Sequence, residues 1–289
     1  MNLAILWPSV LNGLATGALY ALVALGLTLI YGVLHIINFA HGALLMTALY
    51  GVWFLHDLFG LDPYVSLLIV PPAMFALGYG LQRGIIGRAS HGRDENILLV
   101  TLGLAIVLEN LALFLFASDT RIVDTSYGFD VVEVAGAFLP TPKAVAFAGA
   151  LVCAGGLWLI MQRTDLGRSI RALAKERKGA RLVGIDVEHV FAMSFGLGVG
   201  VLGVAACLLM PSYYVTPQVG HGFVLIAFTI VVLGGMGSFG GALIGGLIVG
   251  VVEAVGGLWF GESLGQLGIF AIFIAILLFR PQGLLGRTA

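Results

Sequence analysis

SVLNGLATGALYALVALGLTLIY, residues 9–31, is a run of 23 residues without a charged side chain. A helix needs roughly 20 apolar residues to cross the hydrocarbon core of a bilayer, so this run predicts a membrane span. Eight further apolar runs follow along the chain. They lie at 41–56, 63–82, 96–117, 144–161, 190–210, 222–236, 241–258 and 263–280.

The composition of the whole chain agrees with this run. Of its 289 residues 60% are hydrophobic and 10% are charged, and the mean hydropathy is +1.06. A soluble domain carries about 25% charged residues. The sequence therefore predicts an all-α polytopic membrane protein, one transmembrane domain over 1–289, with eight or nine membrane helices. The short runs 41–56 and 222–236 are candidates for re-entrant rather than spanning segments.

The basic residues are distributed very unevenly among the loops. Twelve of the fourteen Lys and Arg residues lie in the loops 83–93 and 162–189 and in the C-terminal tail. The loop 118–143 has two, against four acidic residues. Because cytoplasmic loops carry the excess of Lys and Arg, we expect 118–143 to be external. The N-terminus is then external and the C-terminus cytoplasmic.

An internal repeat is suggested by NFAHGALLMTALYGV at 38–52 and GSFGGALIGGLIVGV at 237–251, which share five of fifteen positions without gaps. Both segments have the same predicted direction, which indicates a parallel repeat. Chance similarity between Gly- and Ala-rich spans is the alternative. If the repeat holds, both segments are broken helices beside a central pathway, because paired glycine-interrupted segments mark the binding site in many transporters.

Polar residues cluster where the first span ends, in YGVLHIINFAHG. A helix would place His35, Asn38 and His41 on one stripe, since they are spaced by three. With Tyr31 and Gly42 they are candidates to line a pathway for a polar solute, because polar groups at membrane depth pair or face water. The alternative is that His35 and Asn38 only cap the end of the span. A metal site is not predicted, because too few ligands are present.

The segment GGMGSFGG at 234–241 has five glycines in eight residues, which disfavours a helix interior. Gly234, Gly235, Gly237 and Ser238 are therefore candidates for the pathway, with close helix packing as the equal alternative. The segment is not a phosphate-binding loop. The three lysines of the chain stand outside any Walker-type motif, so we expect no ATP hydrolysis by this chain.

Two acids, Glu109 and Glu253, lie inside apolar runs and are predicted to be buried against protein or water. A proton-coupled carrier would use such groups. A structural hydrogen bond to a neighbouring helix is the alternative for each.

The loop 162–189 is basic and predicts a short amphipathic helix followed by a turn. Basic amphipathic helices often lie on anionic lipid. This one ends in ARLVGID, an apolar knob with a glycine break, which favours docking into a groove of another protein.

LNGLATGALYALVALGLTLIYGVLHIINFAHG at 11–42, RTDLGRSIRALAKERKGARLVGID at 163–186 and VVLGGMGSFGGALIGG at 231–246 together resemble the branched-chain amino-acid ABC importer permeases, specifically the H-type subunit. The resemblance covers nearly the whole chain. It implies a transport subunit of the bacterial inner membrane, with alternating access driven by partner subunits that use ATP. The implied partners are a second homologous permease, two cytoplasmic ATPases and an external solute-binding protein, with no nucleic acid and no cofactor on this chain.

The resemblance also implies that 162–189 is the coupling loop. Its expected ATPase contacts are Arg171, Ala180, Arg181, Leu182, Val183 and Gly184. One position departs from the family: an acidic residue commonly follows the His-Gly of the first motif, and here it is Ala43. Related systems carry urea, short amides or aromatic acids, and these remain alternatives to branched-chain amino acids. A secondary carrier is the competing class. An enzyme is not predicted, because no nucleophile–base pair or metal cluster is present.

Overall fold

The computed structural model describes residues 3–89, 94–134, 136–280 and 282–285. Over these residues the regular secondary structure is helical apart from one short hairpin, which confirms the predicted all-α membrane protein. Arg93 and Arg287, which contributed to the predicted orientation, lie outside the described residues.

The helices follow one another with short connections. They are α1 Leu3–Leu34, α2 His41–Phe59, α3 Val70–Leu81, α4 Gly87–Ala89, α5 Asp94–Phe116, α6 Thr141–Arg163, α7 Asp165–Lys175, α8 Arg177–Leu182, α9 Val187–Leu209, α10 Val219–Gly234, α11 Phe239–Phe260 and α12 Glu262–Phe279. A 3₁₀ turn, Val65–Leu68, precedes α3, and a π-helical turn, Gln82–Ile86, joins α3 to α4. The hairpin pairs β1 Val131–Val134 with β2 Ala137–Pro140 and was not predicted.

Each of the nine predicted apolar runs contains a helix. Among the described residues, α1, α2, α5, α6, α9 and α11 are long and apolar enough to cross a membrane. The apolar parts of α10 and α12 are shorter, at Val219–Gly234 and Leu267–Phe279. The predicted count of eight or nine membrane helices is therefore confirmed.

Helices α1 and α9 form the centre of the bundle. The most apolar stretch of α1 is 89% buried and that of α9 is 83% buried, against 11% for α5. The two central helices touch at Gly26 and Gly198, where an added Cβ on either residue would lie 2.6–2.7 Å from the carbonyl oxygen of the other. Small residues thus let the two backbones approach closely, as membrane helices without a hydrophobic driving force require.

The two halves of the bundle run in opposite directions. Arg177, shortly before α9, donates to the carbonyl oxygen of Leu34 at the end of α1. The end of α1 and the start of α9 therefore share one side, which we call the basic end. The opposite side, with Asp62 and Tyr127, is called the acidic end.

The packing partners follow the same inverted relation. Helix α1 packs mainly on α11 and α9 mainly on α3, while α10 packs on α1 and α2 packs on α9. This pattern relates α1–α2–α3 to α9–α10–α11 with opposite direction, a common transporter arrangement. The observed packing thus relates α2 to α10, whereas the internal repeat predicted from the sequence relates 38–52 to 237–251.

Candidate functional site

Helix α2 begins inside the bundle rather than at its end. The ring Nε2 of His41, its first residue, lies 2.9 Å from the carbonyl oxygen of Val23 on α1. Val23 precedes the end of α1 by eleven residues, which is roughly 16 Å of helix. Residues 35–40 return the chain to this depth without helical structure. Helix α2 is thus a broken helix that runs from mid-depth to the acidic end.

Helix α10 begins at the same depth. The rings of Tyr20 on α1 and Phe223 in the second turn of α10 are 6.1 Å apart in edge-to-face contact. The other end of α10 lies near the end of α1, because an added Cβ on Gly32 would be 3.5 Å from the Cα of Gly237. The broken pair is therefore α2 and α10, and segment 237–251 belongs to α11, which starts at the basic end.

The two helix N-termini meet at Gly42 and Gly220. Each glycine lies so close that a Cβ on either would overlap the carbonyl oxygen of the other. Neither α2 nor α10 has a side-chain N-cap, and the backbone N–H groups of His41, Val219 and His221 donate to carbonyl oxygens of the turns that precede the two helices. Two positive helix-dipole ends thus converge at one point, which we call the crossing.

A small cavity of about 30 Å³ lies beside the crossing. It is lined by Phe39, Gly42, Ala43, Ala105, Glu109, Pro217, Gly220, His221 and Val224. Its two titratable side chains are Glu109 on α5 and His221 on α10, with Oε1 and Nε2 3.0 Å apart. The His221 side chain is 68% exposed and that of Glu109 is 21% exposed. Polar groups at this depth face protein or water, so this face does not suit contact with lipid.

The two acids within apolar runs are both partly buried, and each lies in a helix that faces outward over part of its surface. Glu253 on α11 is half-buried and interacts with Tyr20 and Lys143. Glu109 interacts with His221 instead, so the two acids belong to separate sites. Each acid thus faces a protein group, as the sequence predicted, and their roles in transport stay a prediction.

The predicted stripe of His35, Asn38 and His41 does not form, because the chain is not helical between α1 and α2. His35 adopts a left-handed conformation with φ 56°, which ends α1 and turns the chain. The side-chain Oδ1 of Asn38 accepts from the backbone N–H of Ala40, just before α2, and not from the end of α1 as the capping alternative expected. His41 is fully buried against Val23 and supports the start of α2 rather than lining the cavity.

The glycine-rich segment is a turn at the basic end, away from the crossing. Gly235 and Gly237 have φ of 100° and 84°, which L side chains rarely adopt. The carbonyl oxygen of Gly234 accepts from Leu285, and Ser238 Oγ accepts from the N–H of Gly241 at the start of α11. Gly234 and Gly235 therefore agree with the alternative of close helix packing rather than with a place in the solute pathway.

Tyr31 also lies at the basic end. The centres of the Tyr31 and His35 rings are 6.2 Å apart. The next residue, Gly32, lies beside Gly237 of the glycine-rich turn. Of the predicted pathway residues, only Gly42 lines the cavity at the crossing; Gly237 and Ser238 line a separate surface cavity with Trp158. Whether the residues at the basic end belong to the pathway stays a prediction.

The coupling segment, α7 and α8 with Val183 and Gly184, lies on the surface of the basic end. Leu182 is 89% exposed and Val183 is 76% exposed, which is unusual for apolar side chains in a polar segment. Arg171 and Arg181 are also exposed, and Gly184 ends the segment with φ 86°. Ala180 is 4% exposed because it faces the bundle, so its predicted place at a partner contact is wrong.

His221, Gly220 and Pro217 were missed by the sequence reasoning. A signal was present: PQVGHG at 217–222 places a proline, two glycines and a histidine directly before an apolar run. This pattern matches the polar break before α2, where His41 and Gly42 open the helix. Among the described residues no group of three or more His, Cys, Asp or Glu side chains is placed to hold a metal ion.

Comparison with known proteins agrees with the geometry. The family model described as branched-chain amino acid transport system / permease component matches residues 9–278. The high-affinity branched-chain amino acid transport system permease protein BraD of Pseudomonas aeruginosa is 34% identical over 290 residues, which cover 96% of this chain and 94% of the relative.

Other relatives extend the comparison. The corresponding permease protein LivH of Salmonella typhimurium is 32% identical over 291 residues, with the same coverage. The D-allose transport system permease protein AlsC of Escherichia coli is 30% identical over 205 residues, or 67% of this chain and 59% of the relative. No solved structure matches. Because the family model, BraD and LivH each match nearly the whole chain, the protein belongs to the family of branched-chain amino acid transport system permease components.

Proposed function

We propose that this chain is the membrane subunit of an ABC importer for branched-chain amino acids, and that the crossing of α2 and α10 is where the solute passes. The observation that carries the proposal is the convergence of two broken-helix N-termini beside Glu109 and His221. The printed names of BraD and LivH support the solute class.

The crossing offers complementary groups to a zwitterionic amino acid. The starts of α2 and α10 favour a carboxylate, because both helix dipoles present their positive ends there. The carboxylate of Glu109 favours an ammonium group in the same cavity. Ala43 also lines this cavity. Glu109 thus supplies the acidic group that the resemblance led us to expect at position 43.

The structure is closed at this level. A space of about 30 Å³ holds one water molecule and no amino acid, so α2 and α10 must separate for passage. The free energy for this change must come from a partner with different affinity for the two states. Since this chain lacks a Walker-type motif, that partner is an ATPase, which docks at the exposed Leu182 and Val183.

The remaining partners follow from the surfaces. A second, homologous permease covers the face of α5 and α10, because His221 is exposed there at membrane depth beside the partly buried Glu109. In the bacterial inner membrane the basic end then faces the cytoplasm, where two ATPase subunits bind, and the C-terminus lies on that side. The acidic end and the N-terminus are external, and the solute-binding protein delivers its cargo there.

The proposal is tested by leucine uptake into proteoliposomes that contain the complete importer. Glu109→Gln removes the negative charge at the crossing without changing its size, so KM for leucine should rise at least about tenfold, since a charge-assisted contact is lost. Glu253→Gln, the same substitution on another membrane helix, serves as the control and should leave KM unchanged.

Two results would contradict the proposal. An unchanged KM in Glu109→Gln would remove Glu109 from the solute site. Accumulation of leucine without ATP, driven by a proton gradient and lost in Glu109→Gln, would make the chain a secondary carrier.

A further inference from the structure

Glu109 and His221 connect two helices that otherwise have few contacts with each other. Helix α5 packs mainly on α2, whereas α10 packs mainly on α1, α11 and α2. Between α5 and α10 the Oε1 atom of Glu109 lies 3.0 Å from the Nε2 atom of His221. A carboxylate oxygen only accepts, so the ring N–H donates to it. This hydrogen bond holds the start of α10 against α5.

The same hydrogen bond must break when the crossing opens. Both side chains line the space of about 30 Å³, which holds no amino acid. Gly220, the residue before His221, touches Gly42 of α2, so a solute passes only if α10 moves away from α2. Because α5 packs on α2, that movement also takes His221 away from Glu109.

The carboxylate and the imidazole face each other without a competing charge from the described neighbours. The other residues that line the cavity are apolar or glycine. On α2, His41 is turned to α1, while Tyr20 of α1 and Glu253 of α11 interact with each other. Residues 265–279 of α12 include no titratable side chain. On α5, Glu95 lies 14 residues earlier, which is roughly 21 Å along the helix.

We infer that the ring N–H of His221 holds the carboxylate of Glu109 until the ammonium group of the solute replaces it. His221 has this role only if Glu109 binds the ammonium group, as proposed for the importer. A carboxylate at membrane depth needs a donor in either state, and the exchange supplies one before and after. Solute binding and the release of α10 are thus one event. His221 acts through Glu109 as a positioning residue and is not a ligand of the solute.

The charge of the imidazole sets how strongly His221 competes with the solute. Histidine is the side chain that ordinarily changes charge between about pH 5 and 8. A protonated ring adds Coulomb attraction to the hydrogen bond with Glu109, whereas a neutral ring only donates its N–H. An ammonium group therefore meets a stronger competitor at low pH, so KM for leucine should fall as the pH rises.

The experiment measures KM for leucine at about pH 5.5 and about pH 7.5 in proteoliposomes that contain the complete importer. Leucine binding by the solute-binding protein is measured separately at each pH. His221→Leu removes the competitor, so KM should fall about three- to tenfold at the lower pH and less at the higher one. His221→Gln keeps an N–H donor that cannot gain a proton. Its KM should stay near the wild-type value at the higher pH and lose most of its pH dependence.

His189→Leu is the matched control. His189 is also an exposed histidine bonded to a side chain of another helix, since its Nδ1 lies 3.2 Å from the Tyr79 hydroxyl oxygen. It lies at the basic end, near the start of α9. His189→Leu should therefore keep the wild-type KM at both pH values. Effects of pH elsewhere in the importer are shared by the wild type and this control.

A double variant tests whether His221 acts through Glu109. Glu109→Gln with His221→Leu should have the same KM as Glu109→Gln alone, because the competitor has no carboxylate to occupy. If His221→Leu folds poorly, the pH dependence of His221→Gln keeps the test decisive.

Two outcomes would overturn the inference while the proposed function stands, both with KM raised in Glu109→Gln. Wild-type KM and pH dependence in His221→Leu and His221→Gln would show that His221 does not compete with the solute. A higher KM in His221→Leu would make His221 a direct ligand of the solute. An unchanged KM in Glu109→Gln would instead contradict the proposed function, and the role of His221 with it.

Discussion

The crossing and the coupling segment differ in how closely their residues pack against the rest of the chain. At the crossing, Gly42 and Gly220 touch each other's backbone and neither has space for a Cβ atom. At the coupling segment, Leu182 and Val183 are almost fully exposed and contact little of their own chain. Both regions interrupt helices. The crossing is packed within the chain itself, whereas the apolar residues of the coupling segment lack packing partners in this chain.

This difference separates two kinds of requirement. The crossing must fit tightly in the closed state and come apart during transport, so changes there act on the chain itself. The coupling segment must fit another protein, so changes there act only when that protein is present. Stability of the isolated chain and transport by the complex should therefore respond differently in the two regions.

The largest expected effect is at the crossing. In Gly220→Val the Cβ would overlap the carbonyl oxygen of Gly42, and a backbone atom cannot move aside by rotation. Overpacking of this kind costs about 1–3 kcal/mol, so ATP-driven uptake should fall roughly 10- to 100-fold and thermal stability should also fall. Both are measured on the purified complex.

Gly222→Val is the matched control for this change. It lies two residues further on the same helix, and an added Cβ meets no atom within 4 Å. It should retain uptake and stability. Equal behaviour of the two variants would show that the Gly42–Gly220 contact is not the closing point.

A slightly smaller effect is expected at the coupling segment. Leu182→Asp places a charge on an 89% exposed apolar side chain. An apolar residue central to a protein contact is worth about 2 kcal/mol or more, so ATP-driven uptake and ATPase copurification should fall about 30-fold. The unfolding midpoint of the isolated chain should not change, because exposed substitutions rarely affect stability.

Phe129→Asp is the control, since Phe129 is 97% exposed in the loop at the acidic end. It should leave ATPase binding intact. If Leu182→Asp retains normal uptake, the coupling segment does not dock through its apolar knob, and the contrast between the two regions disappears.

The smallest expected effect is the loss of a side-chain hydrogen bond that holds the start of α2 in place. His41→Ala removes a buried hydrogen bond to the Val23 carbonyl oxygen, which should cost about 1–3 kcal/mol. Asn38→Ala removes only the bond to the backbone N–H of Ala40 just before α2, with a cost of about 1 kcal/mol. Thermal unfolding of the purified chain should rank the two in this order. Loss of uptake at unchanged stability in His41→Ala would instead make His41 a pathway residue, as the sequence first indicated.

The pattern of apolar runs was sufficient to predict the membrane helices, because burial in a bilayer requires a length and a composition that are local properties. The exposed apolar residues at the end of α8 were also predictable from local sequence, because ARLVGID contains apolar residues within a strongly charged loop. The spacing of His35, Asn38 and His41 misled, because spacing predicts a stripe only where the backbone is helical. A left-handed His35 breaks that condition.

The sequence by itself determined which segments enter the membrane, which loop carries the basic residues and that this chain has no Walker-type motif. Only the tertiary structure decided that α2 and α10 start at one depth, and that Glu109 and His221, 112 residues apart, form one pair. Hydrophobicity acts residue by residue and is readable along the chain. The depth at which a helix starts and the partner of a charged side chain depend on which backbones approach closely. Such an approach requires glycines on two different helices, which are far apart in the sequence.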